Sequence, residues 1–162
     1  MSASYDESDP FKKEYRIAES QFMRMNITNK NNYRIKSIDI VFNKELQLKF
    51  DKKQAELTFQ GNGECLLLFH GTPQKNIIPI LKSNFDLSIT TNGRAYGDGV
   101  YFSECPEVSI GYSQDQKSLI LCKVLRGNNS KEVMKGDAGG RCWAVVVPGV
   151  DQILPKYVIN FM

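Results

Sequence analysis

Short apolar runs, each bounded by turn-forming residues, dominate the chain after residue 62. They are rich in branched and aromatic side chains, and they comprise Cys65–Phe69, Val100–Phe102, Leu119–Leu125, Ala144–Val147 and Tyr157–Phe161. Residues of this kind favour strands, and runs this short are typical of strands rather than helices. The second half is therefore predicted to be mostly β-sheet. Cys65–Phe69, apolar throughout, is predicted to be a strand buried on both faces.

The first helix is indicated by apolar spacing near the N-terminus. Apolar side chains recur at steps of three and four, as on one face of an amphipathic helix, at Phe11, Tyr15, Ala18, Phe22 and Met25. Two short segments follow, 35–42 and 46–50, and the alternation in the first indicates that at least one of them is a strand. We expect the polar, Lys-rich stretch beyond them to be a connection.

Two further helices are predicted from their opening residues. Thr72 followed by Pro73 supplies a hydroxyl cap and a proline at the first helical position, and this helix should end near Ser83. Pro106 opens a second, short helix, on which Ser109 is expected to share a face with Tyr112. With the strands, these helices define an α+β domain.

The length of 162 residues fits one domain. We expect residues 1–10, which are polar and acidic, to form a disordered tail, and residues 11–162 to form a single domain. The 21 basic and 18 acidic residues are interleaved, and the net charge of +3 is too small to indicate nucleic-acid binding. The chain has no apolar run long enough for a membrane span and its N-terminus is not signal-like, so an intracellular protein, cytoplasmic or nuclear, is expected.

The four cysteines are widely spaced and form no CxxC pair. We expect them to be reduced packing residues. With a single histidine and no cluster of ligands, a metal site is not expected.

Standard nucleotide and hydrolase motifs are absent from the sequence. There is no GxxxxGK[ST], and Gly97-Asp98-Gly99 lacks the third glycine of GxGxxG. GxSxG and HExxH are also missing. The chain therefore carries neither a P-loop nor a Rossmann fingerprint.

Three segments in order do resemble a known family, the catalytic domain of the poly(ADP-ribose) polymerases. They are Leu68-Phe69-His70-Gly71-Thr72, then Gly97-Asp98-Gly99-Val100-Tyr101-Phe102-Ser103, then Ser109-Ile110-Gly111-Tyr112. The resemblance covers residues 11 to 162 and is most specific at the first two segments. It implies an ADP-ribosyltransferase fold with a split antiparallel β-sheet, flanking helices and a cleft for nicotinamide adenine dinucleotide (NAD+) as co-substrate.

The resemblance also implies roles for individual residues. His70 would hydrogen-bond a ribose hydroxyl of the adenosine half of NAD+. Gly71 would offer its backbone N–H and C=O to the nicotinamide carboxamide, and Ser109 would add a hydrogen bond to it. Tyr101 and Tyr112 would sandwich the nicotinamide ring, which suits a planar cation.

Thr72 and Phe102, inside the matching segments, are further candidate NAD+-contacting residues. Each of these side chains taken alone is more typical of a structural role, and only their joint spacing indicates a site. Gly93, Gly97 and Gly99 could serve turns or NAD+ contacts equally well. The lid region of the family is short here, from Phe85 to Gly93, and Arg94 is the nearest cation for a phosphate.

The sequence departs from the family at the third signature, a glutamate on a later strand. Counting back from the closing strand places Ala144 there, so that His70, Tyr101 and Ala144 occupy the catalytic triad positions; a shift of one residue would give Trp143 or Val145. No carboxylate lies between Arg141 and Val150. The resemblance thus implies a mono-ADP-ribosylating or an inactive member.

Three hypotheses follow from these residues. The first is a monomeric mono-ADP-ribosyltransferase that modifies a protein, with nucleic acid as an alternative acceptor. The second is a catalytically inactive module that binds NAD+ or ADP-ribose. The third is a related RNA 2′-phosphotransferase, which would need more basic side chains and a second histidine.

Overall fold

The computed structural model describes residues 9–25, 32–88, 98–115, 117–135 and 142–162, with the backbone alone at 25, 133–135, 142 and 143. Its helices are α1 (Pro10–Met25), α2 (Lys44–Phe59), α3 (Ile77–Ser83) and α4 (Pro106–Ile110). Its strands are β1 (Ile35–Ile40), β2 (Cys65–His70), β3 (Val100–Ser103), β4 (Ser118–Leu125), β5 (Lys131–Lys135), β6 (Cys142–Val147) and β7 (Ile153–Phe161). Short 3-10 helices span Gln74–Asn76 and Val150–Gln152.

The described strands form one antiparallel sheet in the order β1-β7-β4-β2-β3-β6-β5. β2 pairs with β4 along its whole length, from Cys65 to His70. Among the described residues its pairing with β3 is limited to one position, Phe69 opposite Ser103. The sheet thus opens between β2 and β3, which confirms the predicted α+β fold with a split antiparallel sheet. We call this opening the split.

α1 begins with a side-chain cap. Asp9 Oδ1 accepts a hydrogen bond of 2.9 Å from the Phe11 N–H, and Pro10 occupies the first helical position, where a missing N–H costs nothing. Ala18 and Phe22 are fully buried against strands β2, β4 and β7. The amphipathic helix is confirmed, but its apolar stripe is shorter than predicted, because Phe11 is 58% exposed and Tyr15 is also exposed.

α2 occupies the second candidate strand segment, 46–50, and the predicted polar connection, while β1 confirms that at least one of the two segments is a strand. Of the two segments proposed, 35–42 contains β1, whereas 46–50 lies inside this helix. Asn43 caps it, with Oδ1 accepting from the Leu46 N–H at 3.1 Å, and the Asn43 amide also donates to the carbonyls of α3. The expectation of a connection was wrong because the buried residues of α2, which are Leu46, Phe50 and Leu57, are separated by long polar intervals.

The first turn after β2 also differs from the prediction. Thr72 does not cap a helix, since its Oγ1 accepts a hydrogen bond from Asn76 Nδ2 at 3.1 Å, and Pro73 precedes a 3-10 turn that leads into α3. α3 ends at Ser83, as predicted. β2 is buried chiefly at Leu68 and Phe69, so the prediction of burial along its whole length was too broad.

The other predicted strands and the helix at Pro106 are confirmed, while β5 was not foreseen. Cys65 and Cys122 are free thiols, the first exposed and the second buried. Cys105 is disulfide-bonded, so the expectation of four reduced cysteines was wrong for this residue.

Candidate functional site

His70 is the last residue of β2 and spans the split. Its Nδ1 lies 2.8 Å from the carbonyl oxygen of Tyr101 on β3. A carbonyl can only accept, so Nδ1 carries the proton and donates. In the neutral ring Nε2 is then a hydrogen-bond acceptor, and it can accept a hydrogen bond from a hydroxyl group of a ligand.

The surroundings of His70 keep it neutral. Burial lowers the pKa of His70 from 6.5 to about 4, and the hydrogen bond to the Tyr101 carbonyl opposes this shift. Two aromatic rings pack against His70: the ring of Phe85 has its centroid 4.7 Å from that of the imidazole, and the ring of Phe102 has its centroid at 5.6 Å. At neutral pH the imidazole therefore carries no charge.

Gly71 follows directly and touches α4. A Cβ on Gly71 would lie 1.7 Å from the carbonyl oxygen of Ser109 and 3.2 Å from the nitrogen of Ser113. No side chain fits there, so glycine is required by the packing of α4 as well as by any ligand. This close approach brings the two predicted carboxamide-binding residues, Gly71 and Ser109, into contact.

Ser109 is buried, and its hydroxyl is already engaged. Its Oγ donates to the carbonyl of Phe69 at 2.9 Å. While that bond is present, the hydroxyl can act toward a ligand only as an acceptor. The bond also fixes α4 to the end of β2.

The two predicted stacking tyrosines lie on different elements. Tyr101 is half-buried on β3 opposite Val146, and Tyr112 is half-buried in the turn that follows α4. The backbone N–H of Tyr112 donates to the Ser109 carbonyl at 3.0 Å. Since α4 ends at Ile110, the turn rather than the helix sets the position of Tyr112 relative to Ser109.

Ala144 lies on β6 directly opposite Ser103 of β3 and is 4% exposed. By strand alternation it shares a face with Tyr101 and Ser103, whereas the residues between them point into the core that contains α3. The residue predicted for the third-signature position thus presents a methyl group, and its assignment to that position stays a prediction. Of the two alternatives, Val145 lies on the opposite, core-facing side, and the side chain of Trp143 is outside the described part.

Thr72 and Phe102 are buried in contacts within the protein. Thr72 accepts from Asn76, and Phe102, 1% exposed, packs against His70. Their predicted contact with NAD+ stays a prediction. Gly99 has a φ of 148° and its Cβ would meet the Val147 carbonyl at 2.8 Å, so the backbone alone requires glycine there.

Residues 89–97, which include Gly93, Arg94 and Gly97, lie outside the described residues. The sequence reasoning named Phe85 only as the start of the lid region and assigned no role to Asn84, although Phe85 packs against His70 and Asn84 bonds the Phe85 N–H. The available signal was an asparagine directly after a helix, where a left-handed residue is common, followed by an apolar side chain that can pack back on the fold.

Nowhere in the described ranges do three or more His, Cys, Asp or Glu side chains come together in a way that could hold a metal ion. None of the described helices combines the length and apolar character that a membrane span needs.

A split antiparallel sheet with a histidine and a glycine at the end of one strand and a tyrosine on the next defines an ADP-ribosyltransferase type of fold. The sequence model of the poly(ADP-ribose) polymerase catalytic domain matches residues 12–142. The chain belongs to this family.

The chain is similar in sequence to two named proteins. A protein of Dictyostelium discoideum named as a probable poly(ADP-ribose) polymerase is 32% identical over 125 residues, which are 69% of this chain and 37% of the relative. A poly(ADP-ribose) polymerase-like protein, 100L, of Invertebrate iridescent virus 6 is 35% identical over 68 residues, or 38% of each chain. The matched regions span well under half of these relatives.

Proposed function

We propose that this chain is an NAD+-dependent mono-ADP-ribosyltransferase that transfers one ADP-ribose unit to an acceptor and releases nicotinamide. The observation that carries the proposal is the His70–Tyr101 hydrogen bond across the split, with Gly71 in contact with Ser109 beside it. His70 and Tyr101 are distant in sequence, as are Gly71 and Ser109, and these two contacts support the proposal that the four residues share one site. Family membership supplies the chemistry to be tested.

NAD+ would be held by polar groups at the ribose and the carboxamide and by aromatic rings at the nicotinamide. The neutral Nε2 of His70 would accept a ribose hydroxyl, and the backbone of Gly71 would pair with the carboxamide. Tyr101 and Tyr112 would stack on the nicotinamide ring, whose positive charge favours aromatic faces. Both tyrosines are half-buried, so neither side chain is wholly enclosed by the protein.

The reaction breaks the bond between the anomeric carbon of the ribose and the nicotinamide nitrogen. The bonding pair leaves on that nitrogen, which neutralises the ring, and the ribose passes through an oxocarbenium-like state. The acceptor then donates a lone pair to the anomeric carbon. An aspartate or glutamate acceptor is ionised at neutral pH, so no proton has to be removed.

The limitation to a single transfer rests on Ala144. Attack by a ribose hydroxyl, which elongates a polymer, needs a group that orients the hydroxyl and takes its proton. Ala144 has none. An acceptor that brings its own negative charge avoids this requirement, and we therefore propose a protein carboxylate as the acceptor. We also propose that the protein acts as a monomer.

Labelled NAD+ tests the proposal directly. The chain is incubated with labelled NAD+ and cell lysate, and products are identified by mass spectrometry. We expect one ADP-ribose per modified site together with free nicotinamide. Absence of modified protein, modified nucleic acid and released nicotinamide would contradict the proposal, and label on nucleic acid alone would contradict the protein acceptor.

A variant of His70 provides the site control. In His70→Asn the amide nitrogen can still donate to Tyr101, but the acceptor at Nε2 is lost. The KM for NAD+ should rise about tenfold, the value of one hydrogen bond. Phe59→Ala is the matched control, because Phe59 is 95% exposed on α2, and it should leave KM unchanged.

Restoring a carboxylate tests the assignment of Ala144. Ala144→Glu should raise NAD+ hydrolysis or transfer about tenfold or more, because a carboxylate there can orient hydroxyls and accept a proton. Ala144→Gln introduces a side chain of the same size as Glu but without its charge, and it should not raise the rate. Equal rates in both variants would mean that Ala144 is not the third-signature position.

A second candidate function, an inactive NAD+-binding module, is favoured by the methyl group of Ala144. Calorimetry with NAD+ separates it from the first. Binding without turnover in the labelled assay would support the module, and measurable turnover would exclude it.

A further inference from the structure

Phe85 lies two residues after the end of α3 and makes a three-ring cluster with His70 and Phe102. Its ring meets the imidazole edge-on, with centroids 4.7 Å apart and an interplanar angle of 77°. It meets Phe102 at 5.9 Å and 78°. The imidazole therefore has a ring packed edge-on to it from a segment that belongs to neither β2 nor β3.

Asn84 fixes the place of Phe85. Its backbone has φ 68° and ψ −176°, a region that residues other than glycine rarely adopt. Its side-chain amide makes three hydrogen bonds. Nδ2 donates to the carbonyls of Val150 at 2.9 Å and Ile153 at 3.1 Å, and Oδ1 accepts from the Phe85 N–H at 3.0 Å. The segment is thus tied to the start of β7, and the turn at Asn84 directs Phe85 toward His70.

The hydrogen bond to Tyr101 by itself does not fix the imidazole. A neutral imidazole has two tautomers, and its ring can turn about the bond that joins it to Cβ. A ring packed edge-on restricts that rotation and excludes the water that would compete for Nδ1. Phe85 and Phe102 do this from two directions.

We propose that Phe85 is a positioning residue for His70, which holds the imidazole in the tautomer that donates from Nδ1 to Tyr101 and presents Nε2 to the ribose hydroxyl. The last part, the ribose hydroxyl, rests on the proposed function. Phe85 itself need not touch NAD+. The low pKa of His70 agrees with an imidazole that these rings keep from water.

The single histidine makes the test unambiguous, because every imidazole signal in a nitrogen NMR spectrum of the untagged full chain belongs to His70. The spectrum is recorded without NAD+ as pH is varied. The unmodified chain should show one tautomer, protonated at Nδ1. In Phe85→Ala we expect a mixture of tautomers and a midpoint of titration raised by about one pH unit or more toward the ordinary value.

Phe85→Leu keeps most of the apolar volume and is used if the alanine variant does not fold. Its His70 should titrate with a lower midpoint than in Phe85→Ala, and the tautomers should still mix. Asn84→Ala should mix them too, since it releases Phe85. Phe59→Ala, the exposed aromatic control, should change neither. An unchanged tautomer and titration in a folded Phe85 variant would overturn the proposal.

Kinetics extend the test to NAD+. Because Nε2 is presented less often in Phe85→Ala but is not lost, KM for NAD+ should rise about twofold to fivefold, less than in His70→Asn, and kcat should change less. If the chain without substitutions shows no turnover, but the tautomers of His70 mix in Phe85→Ala, the positioning role is supported and only the proposed function is contradicted. Turnover with tautomers unchanged in Phe85→Ala would do the reverse.

Discussion

At Gly71 the backbone of α4 comes so close that the residue type is determined by packing before any ligand is considered. Gly71→Ala would place a Cβ 1.7 Å from the Ser109 carbonyl oxygen, and a backbone atom cannot move away cheaply. We expect a loss of about 3 kcal/mol in the free energy of unfolding. Urea denaturation measures it.

Gly111, which follows the last residue of α4, is the matched control. Its φ of −61° is ordinary, and a Cβ there would meet nothing nearer than the Val108 carbonyl at 3.5 Å. Gly111→Ala should change stability by less than about 1 kcal/mol, with a gain if the unfolded chain is stiffened. Equal losses in the two variants would show that the contact with Ser109 is not the cause.

His70 gives the protein a pH dependence with a definite sign. Its pKa is about 4 in the folded chain and 6.5 ordinarily, so between these values the unfolded chain binds a proton that the folded chain does not. Stability contributed by the neutral imidazole is therefore complete above pH 6.5 and is lost as pH falls toward 4.

From pH 7.5 to pH 5 the loss should be about 2 kcal/mol, before most carboxylates ordinarily titrate. Denaturation at several pH values measures it, and His70→Asn, which cannot titrate, should remove the slope. A slope that persists in this variant would assign the effect to other groups.

At the scale of elements, α1 covers one face of the sheet through very few residues. Phe22 is fully buried and packs edge-on against Phe69, with ring centroids 6.2 Å apart. Phe22→Ala should cost about 3 to 5 kcal/mol, because both the burial and the packing are lost. Met23→Ala, on the exposed side of the same helix, should cost less than about 0.5 kcal/mol. Similar losses would mean that α1 does not depend on its buried face.

α2 shows why the sequence reasoning failed at one element. Its buried residues, Leu46, Phe50 and Leu57, are four and seven positions apart, which is a helical spacing, but lysines and other polar residues fill the intervals. Such a helix is stabilised by tertiary contacts with Leu125 and Leu154 rather than by its own apolar stripe. Those contacts are invisible in a linear pattern.

At the scale of the whole molecule, strand pairing and burial are more extensive in one half of the sheet than in the other. β4 is paired on both sides and nearly all of it is buried, whereas the β3–β6–β5 half joins β2 at the pair Phe69 and Ser103. Native-state hydrogen exchange should therefore find the slowest amides in β4 and β7. Amides in β3 and β6 should open at a free energy lower by about 2 kcal/mol. Uniform protection across the sheet would show that the two halves unfold together.

Apart from β5, the strands were predictable from the sequence, as were the single histidine at the end of β2, the glycine beside it and the alanine on β6, because strand patterns are local and the family signatures are short and rigidly spaced. What these residues do to one another depends on the tertiary structure. The Tyr101 carbonyl accepts the hydrogen bond of His70 Nδ1, the Ser109 carbonyl requires Gly71, and Asn84 directs Phe85 onto the imidazole. These contacts join residues far apart in the chain, and several involve backbone atoms, which are the same in every residue and leave no mark in a sequence.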